Sequence, residues 1–152
     1  MELKDLALLS NGSLHGDSIE ASEFSIDTRS IKKGEVYIAI EGQNFDGHDF
    51  IKDAENKGAR ALIVSREVSS NLPFIVVNNT LDFMETIAVH NRSSFNGNMI
   101  GITGTNGKTT SKQILSSLLS QIHKTHKTEG NKNNHIGVPF SMLNMENQYK
   151  SS

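Results

Sequence analysis

The sequence predicts an α/β protein built in two parts, and three observations predict it. Compact apolar runs of strand length recur along the 152 residues, apolar stripes of helical spacing lie between them, and one Gly-rich loop joins such a run to such a stripe. The small, polar stretch Ser93-Ser94-Phe95-Asn96-Gly97-Asn98 has the character of a linker, which divides the chain into a first unit over 1–94 and a second over 95–152.

Each element has a local reason. Leu3, Leu6, Leu8 and Leu9 form a short helical stripe that Asn11-Gly12 ends with turn chemistry. Phe24 to Thr28 alternates apolar and polar residues, and after the turn at Lys32-Lys33-Gly34-Glu35 comes the run Val36 to Ile40; these read as two strands. A Gly-rich loop, Gly42 to Gly47, leads to a helix over His48 to Lys57 with Phe50, Ile51 and Ala54 on one face and Gly58 as its C-cap. Ala61 to Val64 and Pro73 to Val77 read as further strands. Thr80 is placed to cap a helix whose stripe is Leu81, Met84, Ile87 and Ala88. Beyond the linker, Met99 to Thr103 reads as a buried strand, and a helix carries Ile114, Leu115, Leu118, Leu119 and Ile122.

Composition excludes several function classes. Fifteen Lys and Arg against 17 Asp and Glu leave a net charge of -2, which offers no basic field to a nucleic acid. With no cysteine, a disulfide framework, a thiolate zinc site and a cysteine nucleophile are ruled out. The longest apolar run, Val36 to Ile40, is far short of the roughly 20 residues that a membrane helix needs, so no membrane insertion is expected. Acids at Glu2 and Asp5 and the lack of an apolar stretch after them argue against a secretory signal, and the expected location is the cytoplasm. The sequons at Asn11, Asn78 and Asn91 then read as chance. His123 and His126 lack a third ligand nearby in sequence and read as surface residues.

The loop Gly104-Thr105-Asn106-Gly107-Lys108-Thr109-Thr110 carries the chemistry. Glycines let successive backbone N–H groups face phosphate oxygens, and a helix N-terminus behind them adds about half a positive charge. Lys108 is placed to reach the β- and γ-phosphates of a nucleotide, and the Thr109 hydroxyl to complete the shell of a Mg²⁺ ion between them. The general pattern G-x-x-x-x-G-K-[ST] fails by one position, because Ile102 stands where it needs glycine and Gly101 lies one residue early.

This loop, after Ile100-Gly101-Ile102-Thr103, resembles the ATP loop of the Mur ligases, the amide-forming enzymes that build the peptidoglycan stem peptide. Two further blocks share the likeness. Lys127 to Pro139, with its run Asn131-Lys132-Asn133-Asn134, is similar to the segment after the loop helix in the member that adds D-alanyl-D-alanine. Ile26-Asp27-Thr28-Arg29-Ser30, Gly34 to Ile40 and Gly42 to Phe50 resemble the UDP-muropeptide-binding N-terminal domain of the same enzymes.

The resemblance implies a role for each matching position. Residues 1–94 would be a small α/β domain binding the UDP-muropeptide, and 95–152 the first strand, P-loop and helix of a Rossmann-like ATPase domain. Gly104, Thr105, Asn106, Gly107, Lys108, Thr109 and Thr110 would bind ATP, with Lys108 and Thr109 catalytic and Thr109 holding Mg²⁺. Ile26, Thr28, Arg29, Gln43, Asn44, Phe45, His48, Asn131 and Asn134 would contact the substrate, with Ile26 beside the uracil. The substrates implied are UDP-MurNAc-tripeptide and D-alanyl-D-alanine, joined through an acyl phosphate by a monomeric enzyme. The resemblance also implies that the family's magnesium-binding glutamate, the rest of the ATPase domain and the C-terminal domain lie beyond residue 152. This polypeptide by itself is therefore expected to be inactive, and 98–152 to be incompletely packed. The alternatives are a sister ligase adding diaminopimelate or lysine, which the Asn-rich run opposes, and a non-catalytic module that binds a UDP-muropeptide.

Overall fold

The computed structural model describes residues 1–43, 45–128 and 136–145. It is a mixed α/β structure that divides into two compact units, Met1–Ile87 and Ala88–Ser152.

The first unit is a five-stranded sheet with helices. Helix α1 (Leu3–Leu9) buries Leu3 and Leu6 and is followed by Asn11, the one described non-glycine residue with positive φ, at 51°. Strands β1 (Ser13–His15), β2 (Phe24–Ser25), β3 (Val36–Ile38), β4 (Ala61–Val64) and β5 (Phe74–Val76) take the spatial order β1-β5-β4-β3-β2. All neighbours are parallel except β1, which runs antiparallel to β5. The predicted pair before Ile40 is thus a parallel pair at one sheet edge. β1 was not foreseen: Ser13-Leu14-His15 is too short and mixed to show a period, and its place is set by pairing with β5, where the His15 ring stacks on Phe74 at 4.7 Å.

A parallel sheet needs cover on both faces, and its strands are apolar in consequence. One face carries Tyr37, Ala39, Leu62, Val64 and Phe74, packed with Ile31, Ala59 and with Ile51 and Ala54 of α2 (Ile51–Asn56). A single 3-10 turn, Gly47–Phe50, precedes α2, so the helix predicted from His48 begins tightly wound. Gly58 stands just past it at φ +88°, the left-handed end expected of a glycine C-cap. The alternate residues Val36, Ile38, Ala61, Ile63 and Ile75 point the other way along the pleat and are also fully buried. Gly12, just beyond α1, lies against Ile75 and Val77, where an added Cβ would come within 3.0 Å of both side chains.

Helix α3 (Thr80–Ser93) buries Phe83, Met84, Ile87 and Ala88, while Leu81 is only half-buried. Its cap is Asn79, whose Oδ1 accepts from the N–H groups of Leu81 at 2.7 Å and Asp82 at 3.3 Å. Thr80, expected to be the cap, turns its hydroxyl to the Ala39 carbonyl instead.

The second unit contains the end of α3, α4 (Lys108–Leu119) and α5 (Gly137–Leu143). Asn91 donates to the Met142 carbonyl at 3.2 Å, and the Lys112 ammonium to the Thr128 carbonyl at 2.8 Å. Met99–Thr103, expected as a strand, pairs with no strand among the described residues. A strand is made by its ladder, and an apolar run without a neighbouring strand has none. Along α4 and past it, Ile114, Leu118 and Ile122 are more than half exposed, and Leu115 and Leu119 are half-buried.

Candidate functional site

In the first unit, four parallel strands end on the same edge of the sheet, where ligands of open α/β sheets are commonly held. The segments leaving these ends are Ile26–Arg29 after β2, Ala39–His48 after β3, Ser65-Arg66 after β4 and Val77–Asn79 after β5.

After β2, Asp27 and Arg29 form a two-pronged ion pair, Nε to Oδ1 at 2.9 Å and Nη2 to Oδ2 at 2.7 Å. The Arg29 side chain and its backbone N–H, both donating to the carboxylate, hold Asp27 down to about 2. Thr28 between them is buried, and its carbonyl accepts from the Lys57 ammonium at 2.8 Å. Ile26 is half-buried.

After β3, the chain closes a tight loop. The Gly42 N–H donates to the Phe45 carbonyl at 2.9 Å, Glu41 and Asp46 form an antiparallel bridge, and the Gly47 N–H donates to the Ile40 carbonyl at 2.8 Å. Tyr37 donates its buried hydroxyl to the Gly47 carbonyl at 3.0 Å. Burial first, and then the carboxylates of Asp27, Asp46 and Asp53, push the Tyr37 phenol up to about 12. Gly47 is required by space: a Cβ there would lie 2.6 Å from the Ile40 nitrogen. Phe45 folds over Gly42 yet remains 58% exposed, and Gln43 is exposed beside it.

His48 joins this loop to the end of β4. Its Nε2 lies 3.0 Å from the Ser65 backbone N–H, which can only donate, so Nε2 is the acceptor. The ring proton is then on Nδ1 and is donated to Asp46 Oδ1 at 2.6 Å. Asp46 Oδ1 also accepts from the His48 N–H at 2.9 Å, and Oδ2 from Arg66 at 2.6 Å. Burial opposes the charge on Asp46, but the donors from the His48 backbone, Arg66 and the His48 ring outweigh it and hold the carboxyl well below its ordinary range.

The second unit holds a different arrangement, at the start of α4. Gly107 caps the helix in the left-handed conformation at φ +80°, and Gly104 adopts φ +149°. Lys108, the first helical residue, folds back so that its ammonium donates to the Gly104 carbonyl at 2.5 Å. The loop thus holds its own cation in front of a helix N-terminus with no side-chain cap, a donor set suited to phosphate oxygens. Thr109 stands in the first turn of α4, and Thr105 and Asn106 are exposed on the loop.

Comparison with known proteins finds a match in each part of the chain. A family model described as Mur ligase family, catalytic domain matches residues 20–93, and one described as Mur ligase middle domain matches residues 102–151. The chain belongs to the Mur ligase family. Among curated Mur ligases it is 36% identical over 150 residues to the UDP-N-acetylmuramoyl-tripeptide--D-alanyl-D-alanine ligase of Buchnera aphidicola, covering 99% of this chain and 33% of that protein. A solved structure of the UDP-N-acetylmuramoylalanyl-D-glutamyl-2,6-diaminopimelate--D-alanyl-D-alanyl ligase from Acinetobacter baumannii superimposes with a TM-score of 0.83 at 29% identity, over 97% of this chain and 34% of that one. The MurF ligase of Thermotoga maritima, solved in complex with ADP, is 38% identical with a TM-score of 0.67, over 82% of this chain and 29% of that one. The chain spans about a third of the length of the curated Mur ligases it matches.

Of the positions singled out in this Mur ligase chain, Ile26, Thr28, Arg29, Gln43, Phe45 and His48 share one sheet edge, and Gly104 to Gly107 form a loop that leads into Lys108, Thr109 and Thr110 at the start of α4. Asn44, Asn131 and Asn134 lie outside the described residues. Ser65 and Arg66 escaped the sequence reading, as did the parts played by Tyr37 and Lys57. The signal for Ser65-Arg66 was their place directly after the run Ala61 to Val64, but only the parallel order of the strands says that this end meets the Gly42–Gly47 loop.

Proposed function

We propose that the chain carries the UDP-muropeptide-binding domain, over 1–94, and the ATP loop, within 95–152, of a ligase that adds D-alanyl-D-alanine to UDP-MurNAc-tripeptide. The observation that carries the reading is the loop in which Lys108 turns onto Gly104 before the α4 N-terminus, in a chain whose relatives bear that ligase's name. The ADP complex of the Thermotoga maritima relative supports nucleotide use.

In the reaction, an oxygen of the tripeptide's terminal carboxylate attacks the γ-phosphorus of ATP, the bond to the bridging oxygen breaks and ADP leaves. The amine of D-alanyl-D-alanine then attacks the acyl carbon, inorganic phosphate departs and the amine gives up a proton. Little covalent chemistry falls to the protein, whose task is alignment and neutralisation of charge. Lys108 would exchange its contact with the Gly104 carbonyl for the β- and γ-phosphates, and the backbone of Gly104 to Thr110 would receive the remaining oxygens. The Thr109 hydroxyl, in the first turn of α4, fits one place in a Mg²⁺ shell, and the ion when bound supplies further neutralisation of the same phosphates. Ile26, Thr28, Arg29, Gln43 and Phe45 would receive the uridine and diphosphate end at the sheet edge.

Isothermal titration tests the reading. ADP and UDP-MurNAc-tripeptide should each bind the chain at one site, and Lys108→Ala should weaken ADP alone. Failure of wild type to bind UDP-MurNAc-tripeptide while retaining ADP would overturn the substrate assignment.

A further inference from the structure

We propose that His48 is a positioning residue, which locks the Gly42–Gly47 loop onto the end of β4 in the shape that receives the uridine end of the substrate. The inference rests on the function proposed above and adds to it the part that sets the loop.

The geometry assigns His48 this task. Its side chain is 3% exposed, and both ring nitrogens are taken up inside the protein, so the ring offers no face or edge to a ligand. What it joins are two segments 17 residues apart, the loop after β3 and the residue after β4. Asp46 is the hinge of the arrangement. It closes the loop through its bridge to Glu41, caps the turn at Gly47 by accepting the His48 N–H, and receives the His48 ring on the same oxygen that caps the turn. Its second oxygen takes one of the five N–H donors of Arg66, whose guanidinium stands half-exposed at the edge.

One proton decides whether the set holds. Because the Ser65 backbone N–H points at Nε2, the ring must be neutral with its hydrogen on Nδ1; the other tautomer would face one N–H with another and leave Asp46 facing a bare nitrogen. The Tyr37 hydroxyl adds a further tie at the neighbouring Gly47 carbonyl, while Gln43 and Phe45 are exposed. A loop whose base is held by these bonds gives up less freedom when a ligand settles on it, and that saving appears as affinity.

The test uses the 152-residue chain, titrated with UDP-MurNAc-tripeptide and separately with ADP. His48→Ala should weaken the muropeptide about tenfold, the value of one well-formed internal hydrogen bond, and leave ADP binding unchanged. Unchanged muropeptide affinity in His48→Ala overturns the positioning role, and so does an equal loss for both ligands, which would mark general damage to the fold. If wild type itself fails to bind the muropeptide, the substrate reading falls instead. A second measurement is independent of how the variant folds: in the wild-type chain, long-range ¹H–¹⁵N correlation should show His48 with a protonated Nδ1 and a pyridine-like Nε2 at neutral pH. The reverse tautomer or a charged ring overturns the proposal.

Discussion

The Thr80 hydroxyl donates to the Ala39 carbonyl at 3.0 Å, and both residues are buried. This bond ties the first turn of α3 to the segment that leaves β3 for the Gly42–Gly47 loop. The N–H of Ala39 is already paired with the Ile63 carbonyl at 2.9 Å, so Thr80 completes the main-chain bonding of the first residue after β3. Thr80→Val keeps the shape, removes the donor and leaves a buried carbonyl unpaired. It should cost about 1–3 kcal/mol in urea denaturation, while Thr80→Ser should retain most of the stability.

Two glycines separate crowding from backbone strain. Gly47→Ala drives a methyl into the Ile40 backbone, with nothing flexible to give way, and should destabilise by about 2 kcal/mol or more. Gly34 has no heavy atom within 4 Å of an added Cβ but adopts φ +95°. Gly34→Ala should therefore cost only the left-handed penalty, about 1–2 kcal/mol. Thermal denaturation of the two variants side by side checks the order.

Acid should loosen the sheet edge. Asp27 and Asp46 both titrate lower in the folded chain than the ordinary 3.8, Asp27 at about 2. A carboxylate lowered by folding contributes stability that is present above its unfolded value and lost as pH falls through its folded value. Urea midpoints should hold from neutrality to about pH 4 and fall from there toward about pH 2. Asp46→Asn should start lower and show a shallower fall, and an equal slope in both proteins would remove Asp46 as a source. The Asp27–Arg29 pair is exposed, and solvent screening makes its share the smaller one.

At the second unit's loop, Lys108→Ala should weaken ADP by about tenfold to a hundredfold, the worth of a charge-assisted contact. Stability should change little, since Lys108 is only half-buried and its partner is an exposed loop carbonyl. Titration calorimetry with melting curves on the same samples separates the two effects.

Much of this was legible in the sequence because it rests on local patterns. Ala61-Leu62-Ile63-Val64 is apolar without a break and therefore buried on both faces, and Gly58 marks the end of α2 because its φ suits no other residue as well. Gly104 and Gly107 mark the turn into α4 through their positive φ. Other features depend on partners distant in the chain. Ser13–His15 is a strand because β5 lies beside it, and β2 is parallel to β3 because of the route between them, which no periodicity records. Thr80 could cap or reach inward, and the position of Ala39 decided it.

His48 marks the division most sharply. By sequence alone the chain determined its α/β class and most of its elements in order, β1 and the strand expected over Met99–Thr103 excepted, since these follow from neighbours a few residues apart. Tertiary structure alone decided that the imidazole faces inward, because its two hydrogen-bond partners come from Asp46 on its own turn and from Ser65 on another strand end. A buried polar ring must satisfy both nitrogens, and only the parallel packing of β3 against β4 brings the second partner within reach.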